Sequence, residues 1–506
     1  MSYFKVGSVF PPQEHRKRIE RYRRNKAIFL GKHFDVLASV QGQREQNLLY
    51  ISMNLAGLIC KKSADFLFGE QVRVLSGLGS NKKNQEALDN IVSTNALGIT
   101  NYESALSNAY RGDSFYRVRW GQEYGGVLPA ELDPFRPIIE QQDAEYVFPE
   151  VSPYDAKKIV AYHVATPVAP ETKKGKWLLN VETHIAGQIM YHQYVISPNT
   201  VDKFGTPIDF KIESTYGESS VVATGMPKPL IVHVPNFSTG DTWEGVDDIS
   251  ELVPLFDELN NRLTQIASIL DKHSDPALVV PAGTMGEDEF GNPVFNIAHN
   301  KVFEIDGQDD AYPKYITWNG QIYEAFQEME KIIEMIFAIS EIPSVVLGMG
   351  DAGTSGSSGL AIKFMMNSLL AKVNRKRQYY DKAIKEVLNL AQLLEVTMGD
   401  KKYKVGTPIL MFQDGLPKDY MEDANVMATR TNGSQTMSVK TALMTFEGLT
   451  EEQADAELER IAKEKEANTP PALLKANAFP ADPETEESSD PETEEKEPVT
   501  AEEEKN

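Results

Sequence analysis

The chain has 506 residues, 41% hydrophobic and 25% charged, with a formal net charge of −23. A chain of that length exceeds what one hydrophobic core organises, so several subdomains are expected from an otherwise ordinary globular composition. No stretch approaches the roughly 18 consecutive apolar residues of a membrane span, the acidic body argues against a surface that grips nucleic-acid phosphates, and the single Cys60 cannot close an internal disulfide, which reads as a cytosolic chain with a buried thiol.

The segment HRKRIERYRRNKAIFLGK (15–32) carries eight Lys/Arg against one Glu, and no long apolar run follows, so it is not a secretory signal. Residues 15–68 read as helices, the first broken at Gly31 and the second running through LLYISMNLAGLICKKSADFLF to Gly69. From Val72 to about Pro235, β-favouring alternation takes over (YRVRW, KIVAYHVAT, HIAGQIMYHQYVI, FKIEST, LIVHV) between Pro, Gly and Asn turns, interrupted by a helix over 84–112. A mixed α/β domain is expected.

In GVDDISELVPLFDELNNRLTQIASILDK, Leu252, Phe256, Leu259, Leu263, Ile266 and Leu270 step by 4, 3, 4, 3, 4, one stripe on a helix of about 20 residues. Asp247, Asp248 and Ser250 offer caps, and Pro254 is tolerated only near the first turn. A second striped helix places Ile322, Phe326, Met329, Ile333 and Ile336 together. Residues 275–320 between them form a compact insert with strand-like runs (ALVV, VFNI, KVFEI, KYITW). Next come Pro343, a glycine-rich stretch, and a run without Gly or Pro from Leu360 to Met398, long enough for one helix of about 58 Å. That run is a basic island, since residues 357–385 hold Lys363, Lys372, Arg375, Lys376, Arg377, Lys382 and Lys385 against Asp381 alone. Inter-subunit pairing and phosphate contact are both open for it. Beyond Pro408, helices are expected over Val439–Phe446 and 450–466. From Pro480 on, twelve Asp/Glu stand against two Lys, a composition that predicts disorder.

The stretch VVLGMGDAGTSGSSGLAI (345–362) contains a literal G-x-G-x-x-G at Gly348, Gly350 and Gly353. A dinucleotide site needs a strand before the glycines, a return strand after the helix, and an acid about 20 residues on for the ribose. Here no acid occurs between Asp351 and Asp381, no return strand follows, and no Gly-Lys-Ser/Thr makes a Walker loop. With glycine at five of the twelve positions 348–359, the stretch reads as a loop of low conformational cost between long helices. TSGSSG is not a nucleophile elbow. His184 and His192 read as ordinary strand residues, the acids Glu287, Asp288 and Glu289 as a solvated turn, and no metal or cofactor is expected. Nothing requires an enzyme.

The order of these elements, with ADFLFGEQVRV (64–74), AYRGDSFYRVRW (109–120), PLIVHVPNF and GVDDISELVPLFDELNNRLTQI (229–266), EIPSVVLGMGDAGTSGSSGLAIKFMMNSLLAK (341–372) and MSVKTALMTFEGLTEEQADAELERIAKE (437–464), resembles the portal proteins of tailed double-stranded-DNA bacteriophages, in the branch from long-tailed phages of Gram-positive hosts. The likeness runs over about residues 15–468 in order. It implies an α+β portal fold: N-terminal helices and α/β wing over 1–248, stem helices at 249–272 and 321–341, a small β-containing clip over 273–320, a tunnel loop over 342–358, a long wing helix over 359–398, and wing end and helical crown over 399–468. The acidic tail 469–506 matches no part of the family pattern.

The resemblance further implies a ring, usually of twelve copies, at a unique capsid vertex of the virion, assembled in the host cytoplasm with scaffolding and major capsid proteins. Ser344, Val345, Val346, Leu347, Gly348, Met349, Gly350, Asp351, Gly353, Thr354, Ser355 and Gly356 would then face double-stranded DNA that passes without sequence specificity. Glu287, Asp288, Glu289, Phe290 and Asn292 of the clip would meet the terminase large subunit and the head-to-tail adaptor proteins, and no membrane is involved. Residues 241–272 carry eight acids against Arg262 and Lys272, and such a wall would repel phosphate, as a conduit should. The rival readings are another ring-forming or coiled-coil structural protein, and a nucleotide-binding enzyme using the Gly348–Gly353 loop.

Overall fold

The computed structural model describes residues 3–37, 50–78, 82–172, 175–201, 205–274, 278–279, 286–287, 290–291, 293–294, 314–315, 322–347, 363–413, 415, 420–432, 435–447, 449 and 451–468. The chain divides into two compact units, residues 1–416 and 417–506.

In the first unit, β1 (Val9–Phe10) leads into α1 (Gln13–Phe29), the short α2 (His33–Val36) and α3 (Leu55–Phe68). The expected long second helix is shorter than its apolar run. Asn54 caps α3 by accepting from Gly57 N at 2.9 Å, while the amides of Ile51 and Met53 donate to Thr264 Oγ1 and Asn260 Oδ1 at 3.1 and 2.8 Å. Side chains of a distant helix therefore take the hydrogen bonds that helical backbone would have used.

After β2 (Arg73–Leu75), the helix expected over 84–112 is two helices, α4 (Lys82–Thr94) and α5 (Leu97–Arg111). Asn95 causes the break. Its side chain donates to Ile91 O at 2.8 Å and accepts from Ile139 N at 2.8 Å, and Ala96 next to it takes a left-handed conformation, φ 44°. Strands β3 (Asp113–Gly121), β4 (Arg136–Gln142), β5 (Val147–Ser152), β6 (Asp155–Val168), β7 (Trp177–Ile185), β8 (Gln188–Val201), β9 (Pro207–Thr215), β10 (Ser220–Ala223) and β11 (Ile231–Pro235) follow. HIAGQIMYHQYVI is two strands, because Gly187 at φ 86° allows the chain to reverse and pair Ile185 with Gln188.

One sheet has the order β1-β9-β8-β7-β6-β5 with β10 also on β8, and a smaller one the order β11-β3-β4. Every pairing is antiparallel, so the fold is α+β rather than a βαβ weave. The large sheet buries an aromatic cluster that includes Phe4, Phe10, Phe148, Tyr194 and Phe210.

The main core lies elsewhere, where α3 and α5 meet β3 and three further helices: α6 (Val253–Ser274), α7 (Ile322–Ser340) and α8 (Asn367–Met398). Between α6 and α7, β12 (Leu278–Val279) pairs with β15 (Lys314–Tyr315), and β13 (Gly286–Glu287) with β14 (Pro293–Val294). The expected runs KVFEI and most of VFNI and KYITW lie outside the described residues, as does the acidic tail. The long helix begins at Asn367, after a break at Met366, and the residues from Leu360 to Ile362 lie outside the described residues. β16 (Ile409–Met411), which the sequence did not single out, pairs with β2.

The second unit holds α9 (Tyr420–Thr431), also not foreseen, α10 (Val439–Phe446) and α11 (Glu451–Asn468). Ser438 caps α10 by accepting from Thr441 N at 3.1 Å, and Lys440 bridges to Glu451 and Asp455 on α11.

Candidate functional site

The striped helices α6 and α7 pack on one another, with Phe256, Leu259 and Ile266 buried against a core that also takes Met329, Ile332, Ile336 and Phe337. Arg262 reaches Glu258 one turn back at 2.8 Å and crosses to Glu328 on α7 at 3.2 Å. The stripes are not buried to their ends: Leu270 is 49% exposed and Phe326 43%. The stripe of α7 also misses Ile332, which is buried, while Phe326, a stripe member, is not. A period alone cannot tell which end of a helix enters the body.

The buried end of this pair is built around the loop that follows β11. Asp247 caps the entry to α6, its Oδ1 accepting from Ile249 N and Ser250 N at 3.1 and 2.6 Å. Asp248 does not share that role. Its amide donates to Ala109 O at 2.8 Å, at the C-terminus of α5 where carbonyls lack helical partners, and its carboxylate turns inward. There it accepts from Asn236 Nδ2 at 2.9 Å and meets Lys376 Nζ at 2.5 Å and Lys372 Nζ at 3.4 Å, both from α8.

All three charged side chains are buried, that of Asp248 to 2% exposure. Burial alone would raise the Asp248 carboxyl, but Lys372 and Lys376 outweigh it and hold the group well below the ordinary aspartate range. Burial pulls the Lys376 ammonium down to about 8; Asp248 opposes that shift and Lys372 adds to it. One carboxylate faces two ammonium groups, and the imbalance is met by backbone: Lys372 Nζ donates to Ser340 O at 3.0 Å. Ser340 ends α7, so the ammonium sits on the negative end of that helix. Lys376 also donates to Ser63 Oγ of α3 at 2.6 Å. Four helices and the end of β11 thus converge on Asp248. Cys60 lies in the same interior, and burial pushes its thiol up, which leaves it a packing group rather than a nucleophile.

Helix α7 closes in a Schellman turn, with Ile342 N bonded to Phe337 O at 3.1 Å and Glu341 N to Ala338 O at 3.3 Å. The left-handed position that glycine normally fills is Glu341, at φ 60°. Arg375 of α8 ion-pairs with Glu341 at the surface, and the buried Ile342 seals the turn. A 3-10 turn over Ser344–Leu347 follows, in which Val346 and Leu347 rest on the main core and Ser344 is exposed.

A second buried carboxylate, Asp113, holds the same loop from the other side. It accepts from Tyr22 OH at 2.5 Å, His233 Nε2 at 2.7 Å and Gly245 N at 2.8 Å. Gly245 lies so close to Gly112 that a Cβ on it would stand 2.0 Å from Gly112 O.

This geometry corrects the reading of the basic island. Lys372 and Lys376 are interior groups spent on Asp248, and Arg377 donates to Gln413 O and Phe66 O and lies over the Phe412 ring at 5.7 Å. Of the five candidate contacts, only Lys363 and Arg375 are exposed. The acidic count over 241–272 shrinks likewise, because the carboxylates of Asp247 and Asp248 are buried and Glu244 pairs with Arg21 at 3.1 Å. Gly348, Met349, Gly350, Asp351, Gly353, Thr354, Ser355 and Gly356 of the glycine-rich loop lie outside the described residues, as do Asp288, Glu289 and Asn292. Glu287 stands in β13 opposite Pro293, and Phe290 is exposed at the turn beyond it. Among the described residues no cluster of His, Cys, Asp and Glu could hold a metal ion, and no helix is long and apolar enough to cross a membrane.

The fold is an α+β body in which a pair of long helices keeps apolar side chains exposed at one end and is anchored at the other by a buried charge hub. The family model for phage portal proteins of the SPP1 Gp6-like type matches residues 11–471, and the chain belongs to that family. It is thus a phage portal protein, a structural component of the virion capsid that serves genome packaging. No curated protein matches the chain.

Proposed function

We propose that twelve copies of this chain form a ring at one capsid vertex, through which double-stranded DNA enters during packaging and leaves at ejection. The observation that carries this reading is the apolar surface of the helix pair, where Leu270, Tyr323, Phe326, Met335 and Ile339 are exposed on one copy. Neighbouring copies in a ring would cover them, and burying the exposed half of each such side chain contributes roughly 1 kcal/mol. Residues 249–272 and 321–341 are the stem, 1–248 and 359–398 the wing, and 399–468 the wing end and crown.

The clip, residues 273–320, meets the terminase large subunit and later the head-to-tail adaptors, with Glu287 to Asn292 at the contact and Phe290 as its apolar element. The tunnel loop spans 342–358. Helices α6 and α7 together hold seven Asp/Glu against three Lys/Arg, which supports a channel wall that repels phosphate and reads no bases. Assembly takes place on a scaffolding protein in the host cytoplasm, beside the major capsid protein.

Electron microscopy of the purified full chain tests the ring: particles with a central hole are expected, and a persistent monomer would overturn the proposal. Deleting residues 350–357 should leave rings intact and impair packaging or retention of DNA; loss of assembly would instead make that loop a structural element.

A further inference from the structure

Residues 3–10 lie as a strap on the large sheet. Gly7 N donates to Ile212 O at 2.8 Å and Ile212 N to Ser8 O at 2.9 Å, after which Val9 and Phe10 pair with β9 as its edge strand. Phe4 and Phe10 are buried in the aromatic cluster beside Phe148 and Phe210. The strap thus covers a strand edge that would otherwise be open to pairing, together with part of an aromatic core.

Its outer end is fastened to two histidines. The Tyr3 ring stacks on His163 with centroids 4.1 Å apart, and its hydroxyl donates to Glu14 Oε1 at 2.5 Å. His15 Nε2 stands 3.0 Å from that hydroxyl, and since the hydroxyl proton goes to Glu14, the imidazole is the donor. His163 Nε2 donates to Glu150 at 3.1 Å, so its Nδ1 accepts from Thr183 Oγ1 at 2.9 Å. Both rings are satisfied as neutral imidazoles. Neither is placed to take a second proton: His15 is 7% exposed and His163 3%. The carboxylates in reach, Glu14 and Glu150, are 66% and 51% exposed and compensate an interior charge weakly. From α1 the buried Arg18 opposes charge on His15, and from β7 His184, which pairs with Glu182 at 3.2 Å, opposes it on His163. Burial, then Arg18 and His163, pull His15 down to about 3. Burial also lowers His163, against the pull of Glu150.

We propose that residues 3–10 are an acid-released strap: protonation of His15 and His163 detaches it and uncovers Phe4, Phe10 and the edge of β9. The sign follows from proton linkage. Once Tyr3 has left, both rings regain the ordinary histidine value of about 6.5, whereas beneath the strap they bind protons less readily. The hold is therefore complete above about pH 6.5 and weakens as pH falls below it. For His15 alone, the bound and free values make release about 30-fold more favourable at about pH 5 than at about pH 7.5. His163 adds to that factor in the same direction.

Hydrogen exchange of the purified full chain tests this at the Ile212 amide, which is bonded to the strap, with the Val118 amide, bonded to Leu230 O in the smaller sheet, as control. From about pH 7.5 to about pH 5, protection corrected for intrinsic exchange should fall at least about tenfold at Ile212 and less than about threefold at Val118. His15→Gln keeps a donor for the Tyr3 oxygen and does not titrate, so it should cut the fall at Ile212 to about a third of the wild-type factor or less. Tyr3→Ala should give low protection at Ile212 already at the higher pH. A smaller fall in the wild type, an equal fall at Val118, or an undiminished fall in His15→Gln overturns the inference. So does full protection in Tyr3→Ala, because the strap would then be held without these histidines. Should His15→Gln be unprotected at both pH values, His163→Gln supplies the same comparison with the same two outcomes.

Discussion

Replacing Asp248 by Asn removes the one negative charge between two buried ammonium groups. With an effective dielectric constant of about 20, contacts of 2.5 and 3.4 Å correspond to gross attractions of roughly 7 and 5 kcal/mol. Desolvation of three charges and repulsion between the lysines cancel most of that. The measurable quantity is the cost of leaving the lysines without a counter-ion, about 3–5 kcal/mol. Urea unfolding followed by tryptophan fluorescence is suitable, because Trp243 packs against His233, whose Nε2 is bonded to Asp113 beneath the same loop.

Asp248→Asn with Lys376→Met should recover about 2 kcal/mol of the loss, since only Lys372, which keeps its bond to Ser340 O, is then left without a counter-ion. The pH dependence carries a sign. Asp248 titrates lower in the folded protein than its ordinary value of 3.8, so its contribution is complete above that value. The contribution falls as pH drops below it, and the Asp248→Asn variant should lack this acid component. A single variant within about 1 kcal/mol of wild type, or additive effects in the double variant, would refute the hub as an energetic unit.

Phe256→Ala and Leu270→Ala remove residues of one sequence stripe with different burial: the first should cost about 3–5 kcal/mol and the second, in dissociated subunits, under about 1 kcal/mol by chemical denaturation. Gly245→Ala forces a Cβ against Gly112 O and should cost about 3 kcal/mol, read as a fall in urea midpoint; wild-type stability would disprove the close approach. At the left-handed residue ending α7, Glu341→Val should cost about 1–3 kcal/mol. Glu341→Gly should stay within about 1 kcal/mol of wild type, because relief of the backbone offsets loss of an exposed ion pair. Arg375→Glu alone should leave the subunit folded, so its effect on ring assembly tests inter-subunit pairing more cleanly than any change at the interior Lys376.

Much of the architecture was legible along the chain. Both striped helices lie within a few residues of their expected bounds, at Val253–Ser274 and Ile322–Ser340, and Val439–Phe446 is a helix as read. Local signals suffice there, because a 3.6-residue period and a cap such as Asp247 act within a few turns. The boundaries that were missed depend on distant partners: Asn95 stops a helix by bonding β4, and the segment before α3 spends its amides on α6.

The anchor was written in the sequence but not readable from it. Leu369, Lys372, Val373, Lys376 and Tyr380 share one face of α8, and two lysines within a buried apolar stripe are a signal that an interior acid awaits them. Which acid could not be known, because Asp248 is more than a hundred residues away and stands beside an identical residue that caps a helix. Periodicity and turn chemistry determined the paired long helices and a mixture of helix and strand, since those depend on neighbours in sequence; that the sheets are antiparallel was settled by strand pairing in the fold. Only the tertiary structure decided which charges are surface contacts and which are interior, because burial and pairing are set by residues that meet through folding.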